Sequence, residues 1–336
     1  MPTALVTGAG GMIGGHLVER LLDEGFEVRA VDRKPIEEWQ QVHETADNWQ
    51  RDLQVLDNCR EQCEDMEYVY NLAADMGGMG FIETHKVECM LSVLASTHML
   101  VAADEAGVRR FFYASSACVY PDYRQLRTNG RPLNEADAYP AEPEDGYGWE
   151  KLFTERMCRH FREDRDLQTR VARYHNVFGP HGEYDGGREK APAALCRKVA
   201  EAVLQDKGEI TIWGDGYQTR SFLFIDDCIE GTRRLMDSEH PHPLNIGSEE
   251  LVAINELVDV IEDIAGTRLR RNYDRTAAQG VRGRNSDNFQ VRRTLDWSPS
   301  VPLRVGLEAT FAWIYHRIAD PDCAEDWRTC GNGWRG

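Results

Sequence analysis

Short apolar runs alternate with longer stretches of helical apolar spacing over the first half of the chain. The runs lie at residues 3–7, 27–31, 67–72, 108–113 and 169–174, and a further candidate strand precedes Asp52. Apolar runs of this length predict buried strands. The stretches between them predict helices, including a long one at 84–106 and another from 147 to about 163. This alternation favours a doubly wound parallel sheet and hence an α/β protein.

The pattern becomes less regular after residue 175. Leu, Ile and Val stripes at 226–238, 253–265 and 304–318 predict three helices that pack a smaller lobe. We therefore expect a doubly wound domain at residues 1–175 and mainly a ligand-binding C-terminal lobe at residues 176–336, with elements that can interleave.

A glycine-rich turn joins the first predicted strand to the first predicted helix. Gly8, Gly11 and Gly14 follow the strand, and Met12 and Ile13 lie within the same turn. Because glycine has no side chain, the helix N-terminus can approach a pyrophosphate, which its backbone N–H groups bind. The G-x-x-G-x-x-G spacing in this context predicts a Rossmann domain that binds a dinucleotide.

The second strand is followed by an acidic residue, Asp32, whose carboxylate we expect to accept hydrogen bonds from a ribose diol. This favours NAD over NADP, although the adjacent Arg33 leaves NADP open. A helix-capping role is the alternative interpretation of Asp32.

Two further pairs of residues are expected around the cofactor. Asp52 and Leu53 follow the third candidate strand and are predicted at the adenine edge. Ala73 and Ala74 follow the fourth strand, and their small size suits close approach of a ligand to the backbone.

Reactive side chains follow the fifth apolar run. Ser116 and Cys118 are expected to face the cofactor, since ligands bind outside the carboxyl ends of parallel strands. Tyr147 and Lys151 share one face of a predicted helix. A neighbouring ammonium favours the phenolate of tyrosine, so Tyr147 is a candidate proton acceptor. By spacing alone this pair could be accidental, but the glycine motif and Ser116 favour a catalytic pair.

Composition narrows the function further. The chain has 336 residues, enough for a large core, and a net charge of −18. Such an acidic chain is expected to repel nucleic acid and anionic lipid. Neither a signal peptide nor a membrane span is expected, which predicts a cytoplasmic protein.

The cysteines form no Cys-x-x-Cys pair and are odd in number, which predicts reduced thiols and no metal site. Most are expected to be small buried apolar residues, with Cys118 the exception because of its neighbours. The nine are Cys59, Cys63, Cys89, Cys118, Cys158, Cys196, Cys228, Cys323 and Cys330.

Positive charge is concentrated in the second half, in glycine-flanked segments at 186–192, 213–220 and 280–287. Arginine forks bind phosphates, so these segments favour a pyrophosphate pocket. Solvated loop arginines are the alternative.

With this fingerprint and Ser116, Tyr147 and Lys151, nearly the whole chain resembles the extended short-chain dehydrogenase/reductases that act on nucleotide sugars. The segments 73–82, 115–118, 187–194 and 280–288 more closely resemble the GDP-mannose 3,5-epimerases. A C-terminal tail at 327–334 does not align with the longer tail of the plant members, so sugar and product preference can differ.

The resemblance implies reversible oxidation of GDP-mannose at C4 by bound NAD. This makes the C3 and C5 hydrogens acidic, and gives GDP-L-galactose or GDP-L-gulose. It assigns C4 proton transfer to Tyr147 and the two faces of the ring to Cys118 and Lys190. A substrate site is implied at Gly77, Ser116, Cys118, Asn176, Glu189, Lys190, Ala191, Lys198, Gln218, Thr219, Arg220 and Arg284, with Lys198 and Arg284 at the phosphates.

Two other functions stay open at this point: a C4-epimerase of another nucleotide sugar, and a non-catalytic NAD-binding sensor. A thiolate at Cys118 would need positive charge nearby, from Lys190 or the nicotinamide ring. The resemblance also implies a homodimer formed through the helices near 84–106 and 147–164.

Overall fold

The computed structural model describes residues 1–320. The strands are β1 (Thr3–Thr7), β2 (Glu27–Asp32), β3 (Asp47–Gln50), β4 (Tyr68–Asn71), β5 (Arg110–Ser116), β6 (Gln168–Tyr174), β7 (Val177–Phe178), β8 (Glu209–Trp213), β9 (Thr219–Ser221), β10 (Leu223–Phe224), β11 (Leu244–Ile246), β12 (Leu251–Ala253), β13 (Arg270–Asp274) and β14 (Gly283–Arg284). The helices are α1 (Met12–Asp23), α2 (Leu56–Cys63), α3 (Met79–Thr84), α4 (Lys86–Glu105), α5 (Asp145–Arg165), α6 (Ala191–Leu204), α7 (Ile225–Asp237), α8 (Ile254–Ala265), α9 (Phe289–Leu295) and α10 (Leu303–Ala319).

A seven-stranded sheet in the order β11-β6-β5-β4-β1-β2-β3 forms the centre of the molecule. Every neighbouring pair in it is parallel. The predicted doubly wound fold is therefore confirmed. The chain winds outward from β1 to β3 and then restarts at β4 on the other side of β1. This reversal opens a crevice at the carboxyl ends of β1 and β4.

Helices cover both faces of the sheet. Along β5, Phe112 packs into the core on one face, whereas Phe111 and Tyr113 pack into the core on the other. Successive strand residues point to opposite faces, so a strand covered on both sides is apolar throughout. This explains why the strands appear in the sequence as continuous apolar runs.

Two predicted boundaries differ from the structure. The helix expected at 84–106 is interrupted at His85, where the backbone leaves helical geometry between α3 and α4. The strand expected at 108–113 continues to Ser116, because Ser115 and Ser116 still pair with Arg173 and Tyr174 of β6. Pairing with a neighbouring strand extends β5 beyond its apolar run.

The second half contributes to both parts of the fold. Its three predicted helices are present as α7, α8 and α10. Strand β11 joins the large sheet beside β6, and α7 packs against α1, while α6, α8 and α10 pack together in the smaller lobe. The chain thus interleaves the two parts after residue 175.

Helix α4 is long and apolar enough by composition to cross a membrane. In the protein, 44% of its most apolar stretch is buried. A helix packed inside a protein has the same composition, and α4 packs against α2 and α5. Its composition is therefore weak evidence for a membrane span.

The cysteines at 59, 63, 89, 158, 196 and 228 are free and buried, which confirms the expectation for them, and Cys118, the expected exception, is also free and buried. Cys323, Cys330 and the tail at 327–334 lie outside the described residues.

Candidate active site

A cavity of about 660 Å³ lies between the carboxyl edge of the sheet and the smaller lobe. Most of the side chains predicted for the site line it, although they come from segments far apart in sequence. They are Gly8, Gly11, Met12, Ile13, Gly14, Ala74, Gly77, Ser116, Cys118, Tyr147, Lys151, Asn176, Glu189, Lys190, Ala191, Lys198, Gln218, Arg220 and Arg284.

The glycine turn at one end of this cavity has the geometry that a dinucleotide requires. Gly8 has a φ of +70°, which favours glycine, and Gly11 is the N-cap of α1. A Cβ on Gly14 would lie 2.2 Å from the carbonyl oxygen of Gly8. Only glycine at 14 lets the helix start this close to the strand, so the turn fits the pyrophosphate of NAD.

A smaller pocket beside the turn collects the other predicted cofactor residues. It is lined by Asp32, Arg33, Asp52, Leu53 and Ala73. The carboxylate of Asp32 accepts hydrogen bonds from the backbone N–H of Gly10 at 3.1 Å and of Lys34 at 3.0 Å. Asp32 ends β2 and caps no helix, so the capping alternative is wrong. The pocket fits the adenosine half of NAD.

Tyr147 and Lys151 are held on the buried face of α5. They are 5% and 2% exposed, and the Lys151 ammonium lies 5.4 Å from the centre of the Tyr147 ring. The same ammonium lies 3.5 Å from the carboxylate of Glu150 and 4.8 Å from the ring of Tyr113. Lys151 is thus placed among an acid and two phenol rings.

Burial dominates the electrostatics of Tyr147. It raises the pKa of the phenol well above its usual value, and the nearby Cys118 and Glu150 raise it further, while a hydrogen bond with Ser116 opposes them. The sequence predicts a phenolate favoured by Lys151. In the protein alone desolvation outweighs that effect.

Cys118 follows β5 in a short 3-10 helix that Ser116 caps, with the Cys118 N–H donating to the Ser116 hydroxyl oxygen at 3.2 Å. The thiol is 7% exposed and lines the cavity. Burial, followed by the charge of Glu144, raises its pKa to about 11, and Arg284 acts in the opposite direction. Arg284 Nη1 donates to the Cys118 sulfur at 3.6 Å.

Arg284, which the resemblance places at the phosphates, makes its hydrogen bonds within the protein. Its Nη2 donates to the Glu144 carboxylate at 2.7 Å and its Nε to the Gln125 side-chain oxygen at 2.6 Å. The guanidinium is therefore committed to a carboxylate and lies at the thiol. Sequence reasoning named neither Glu144 nor Gln125, since each lies in a polar loop with no motif.

Lys190 enters the cavity from the smaller lobe, at the N-cap of α6. The segment that carries it packs against the loop after β4, because the Gly78 N–H donates to the Arg188 carbonyl oxygen at 2.8 Å. A Cβ on Gly78 would lie 2.3 Å from the Glu189 carbonyl oxygen. Burial lowers the pKa of Lys190, and the nearby Cys118 is the largest of the effects that oppose this.

Two cations line the lobe side of the cavity, and among residues 1–320 neither has a carboxylate hydrogen-bonded to it. Lys198 donates to the Thr211 carbonyl oxygen at 2.8 Å, and Arg220 donates to the carbonyl oxygens of Thr219 and Gln279. Burial and the neighbouring Arg284 lower the pKa of Arg220 to about 10. Burial, followed by Arg197, also lowers the pKa of Lys198.

The remaining predicted substrate residues are held by local hydrogen bonds. Asn176 donates to the Ser221 carbonyl oxygen at 2.9 Å, and Gln218 donates to the Trp213 carbonyl oxygen at 2.9 Å. Glu189 accepts from the Gly187 N–H at 2.7 Å. Thr219 differs from the others, because its hydroxyl donates to the Thr128 carbonyl oxygen rather than lining the cavity.

Arg188 is a further residue that sequence reasoning did not assign to the site. Its guanidinium donates to Asp75 at 2.7 Å and lies 3.8 Å from the centre of the Phe81 ring. Arg33 also donates to Asp75, at 2.8 Å. One carboxylate thus links the adenosine pocket to the loop that carries Lys190.

In the part of the chain that the structure describes, no group of three or more His, Cys, Asp or Glu side chains is arranged to hold a metal ion.

Comparison with known proteins identifies the family. Residues 4–247 match the NAD dependent epimerase/dehydratase family. The chain belongs to this family. GDP-mannose 3,5-epimerase 1 of Oryza sativa subsp. indica is 47% identical over 319 residues, which cover 93% of this chain and 82% of that protein.

Two solved structures show the same fold. The UDP-glucose 4-epimerase of Thermotoga maritima, solved with UDP-glucose, superposes with a TM-score of 0.84 at 24% identity and covers 94% of this chain and 99% of its own. The UDP-glucuronic acid 4-epimerase of Bacillus cereus, solved with UDP-glucuronic acid and NAD, has a TM-score of 0.80 at 26% identity over 93% and 98%. The family is NAD dependent, in agreement with the glycine turn and the Asp32 pocket of this chain.

Proposed function

We propose that this member of the NAD dependent epimerase/dehydratase family is a GDP-mannose 3,5-epimerase. The observation that carries the proposal is that Cys118 and Lys190 line one cavity with Tyr147, beside a turn that fits NAD. The 47% identical rice relative bears the same name and supports GDP-mannose as substrate. The product is GDP-L-galactose, with GDP-L-gulose formed when inversion stops at C5.

The Gly8–Gly14 turn would hold the pyrophosphate of NAD and Asp32 its adenosine ribose. When bound, NAD supplies a hydride acceptor for C4 of the sugar and a positively charged ring within a cavity that favours neutral groups. Tyr147 takes the proton of the C4 hydroxyl and later returns it.

Two residues then move protons at the carbons beside C4. A carbonyl at C4 makes the C3 and C5 hydrogens acidic, and inversion needs a base on one face of the sugar ring and an acid on the other. Cys118 lies after β5 of the large sheet, whereas Lys190 precedes α6 of the smaller lobe. Because Cys118 and Lys190 belong to different parts of the fold, the sugar ring can lie between them.

Lys198 and Arg220 are the phosphate anchors that the geometry favours. Both line the cavity and make their side-chain hydrogen bonds to carbonyl oxygens, so their charge is available to a diphosphate. The pairing of Arg284 with Glu144 makes it the weaker candidate.

Deuterium exchange tests the reaction. The purified protein is incubated with GDP-mannose in D₂O, first without and then with added NAD, and the sugar protons are followed by NMR. We expect deuterium at C5 and C3 together with L-sugar signals, since both carbons lose and regain a proton. Inversion at C4 without deuterium, or no exchange after NAD is added, would reject the proposal.

A cysteine variant supplies the matched control. Cys118→Ala should retain bound NAD and lose deuterium incorporation by about 100-fold or more, the usual size of a general acid–base contribution. Cys196→Ala changes a buried cysteine of α6 and should incorporate deuterium at the wild-type rate. Full exchange in Cys118→Ala would remove Cys118 from the mechanism.

We also propose that two copies associate through α4 and α5. Large apolar side chains are exposed on these two adjacent helices: Val87, Met90, Leu91, Leu94, Trp149 and Phe153, each between 40% and 66% exposed. A self-complementary apolar face on a helix pair is typical of a two-fold dimer interface. A cytoplasmic location stays a prediction.

A further inference from the structure

A buried ion pair lies directly beside the candidate base. Glu144 and Arg284 are 6% and 5% exposed, and their charged groups are 2.7 Å apart. Burying two charges costs solvation that their attraction only partly offsets, so such a pair at a cavity wall needs a reason beyond stability.

Arg284 is fixed from several sides. Gln125 is 1% exposed and donates through its amide nitrogen to the carbonyl oxygens of Tyr120 and Pro121. This orients the Gln125 oxygen towards Arg284, where it accepts from Nε at 2.6 Å. The guanidinium therefore cannot rotate away from the Cys118 sulfur without breaking a buried hydrogen bond.

Glu144 is equally fixed relative to the thiol. It is the N-cap residue of α5, and its backbone N–H donates to the Cys118 carbonyl oxygen at 2.8 Å. Tyr147 follows on the same helix. Arg284 thus donates a hydrogen bond of 3.6 Å to the Cys118 sulfur and a shorter one, of 2.7 Å, to the Glu144 carboxylate.

Other polar and ionisable groups face the thiol from the elements around it. These are Tyr147 on α5, Arg220 on β9, Lys190 before α6 and Ser116 at the end of β5, with Asp122 near the Glu144–Arg284 pair. Arg284 donates a hydrogen bond to the sulfur at 3.6 Å, and the Ser116 hydroxyl also interacts with it.

We propose that Glu144 is a positioning residue for Cys118, which holds Arg284 against the sulfur and at the same time neutralises its charge. Together with the burial of the side chain, this keeps Cys118 a thiol in the NAD-bound enzyme, and Cys118 becomes a base only when substrate alters the balance. The role as a base rests on the proposed function, whereas the resting state of the thiol does not.

Removing a buried charge usually impairs a site, but here we expect the reactivity of Cys118 to increase. Glu144→Gln keeps the shape of the side chain but leaves the Arg284 charge uncompensated next to Cys118. The thiolate is then stabilised, since nearby positive charge favours it. Cys118 should therefore become more reactive, even though the substitution weakens the buried hydrogen bond between Glu144 and Arg284.

Alkylation of the NAD-bound protein by iodoacetamide tests this, with the modification of the Cys118 peptide followed by mass spectrometry across pH. In the wild type the midpoint should lie above about 9, higher than the ~8.5 of a free thiol. In Glu144→Gln the rate at pH 8 should rise at least about tenfold, the change expected for one pKa unit.

Two variants separate charge from loosened packing. Glu144→Gln/Arg284→Gln removes both charges and should return the rate to within about threefold of the wild type, as coupled residues do in a double-mutant cycle. Glu155→Gln removes another buried carboxylate of α5, paired with Arg173 at 2.7 Å, and should leave Cys118 alkylation unchanged.

The outcomes are distinct. If the double variant is alkylated as fast as Glu144→Gln, the higher rate comes from easier access of the reagent to Cys118, and the proposal is overturned. An unchanged alkylation rate in Glu144→Gln would also overturn it. If Glu144→Gln does not fold, a wild-type midpoint at or below that of a free thiol overturns the proposal by itself. Failure to exchange deuterium into GDP-mannose would reject the proposed reaction but not the thiol result.

Discussion

At the scale of single residues, burial decides more of the chemistry than sequence neighbours do. Burial shifts the pKa of Cys118, Tyr147 and Lys190 in the direction of the neutral form, because each side chain loses water on folding. Their working protonation states then depend on specific charged partners. Glycine acts differently, by leaving space that any side chain would fill.

Gly14 gives the sharpest prediction at this scale. Gly14→Ala places a Cβ 2.2 Å from the Gly8 carbonyl oxygen, so the turn must shift away from the pyrophosphate position. We expect NAD affinity to fall by at least about tenfold, the loss of a well-oriented charge-assisted hydrogen bond. Isothermal titration with NAD measures this.

Gly208→Ala is the control for Gly14→Ala, because a Cβ there meets no atom within 4 Å. It should bind NAD like the wild type. Normal NAD binding by Gly14→Ala would show that the turn is not the pyrophosphate site.

At the scale of elements, pairing and packing partners set boundaries and exposed faces. β5 continues through its two serines because β6 lies beside it, and this carries Ser116 to the cavity. Helices α4 and α5 pack together, yet both keep apolar side chains in solvent. Such a face is costly in water, and covering it with a second copy removes that cost.

The double variant Leu91→Glu/Leu94→Glu tests the dimer. These side chains are 44% and 40% exposed on α4, and two added charges oppose burial of the face. We expect a monomer in sedimentation velocity where the wild type is a dimer. Val305→Glu, at an exposed apolar site on α10, should stay dimeric. A monomeric wild type would contradict the prediction.

At the scale of the whole molecule, a buried histidine lies where β6 and β11 end at the edge of the sheet. His175 is fully buried after β6, where it lies 3.1 Å from the side-chain oxygen of Asn245 on β11. That oxygen also accepts from the Tyr120 hydroxyl at 2.6 Å. Burial lowers the pKa of His175 to about 3.

This histidine predicts a loss of stability in mild acid. Its folded pKa lies below the unfolded value of 6.5, so the unfolded chain binds the extra proton and stability falls as pH decreases below 6.5. Between pH 7 and pH 5 this group should lower the free energy of unfolding by roughly 2 kcal/mol. Urea unfolding at the two pH values measures it.

Comparison with His175→Gln isolates the contribution of this side chain. The variant should lose roughly 2 kcal/mol of the pH dependence, whatever its stability at pH 7. Equal pH dependence in the wild type and His175→Gln would show that His175 is not held neutral.

The sequence by itself determined the fold class and the glycine turn, and it named most of the predicted residues that line the cavity. The period of the apolar residues, the spacing of the glycines and the Tyr147–Lys151 pair are patterns within short segments. Such patterns predict structure because strands, helices and turns have fixed backbone geometry. They predict the strands, the NAD turn at Gly8–Gly14 and the acidic residue at 32.

Only the tertiary structure decided which residues meet and in which charge state. Glu144 and Gln125 lie in segments without a motif, yet they meet Arg284 of the distant 280–288 segment beside Cys118. The pKa of a side chain depends on the water it loses and the charges it approaches, and both are set by long-range packing. The charge expected near Cys118 was that of Lys190 or of the nicotinamide ring, and the structure adds Arg284, whose guanidinium donates to the sulfur.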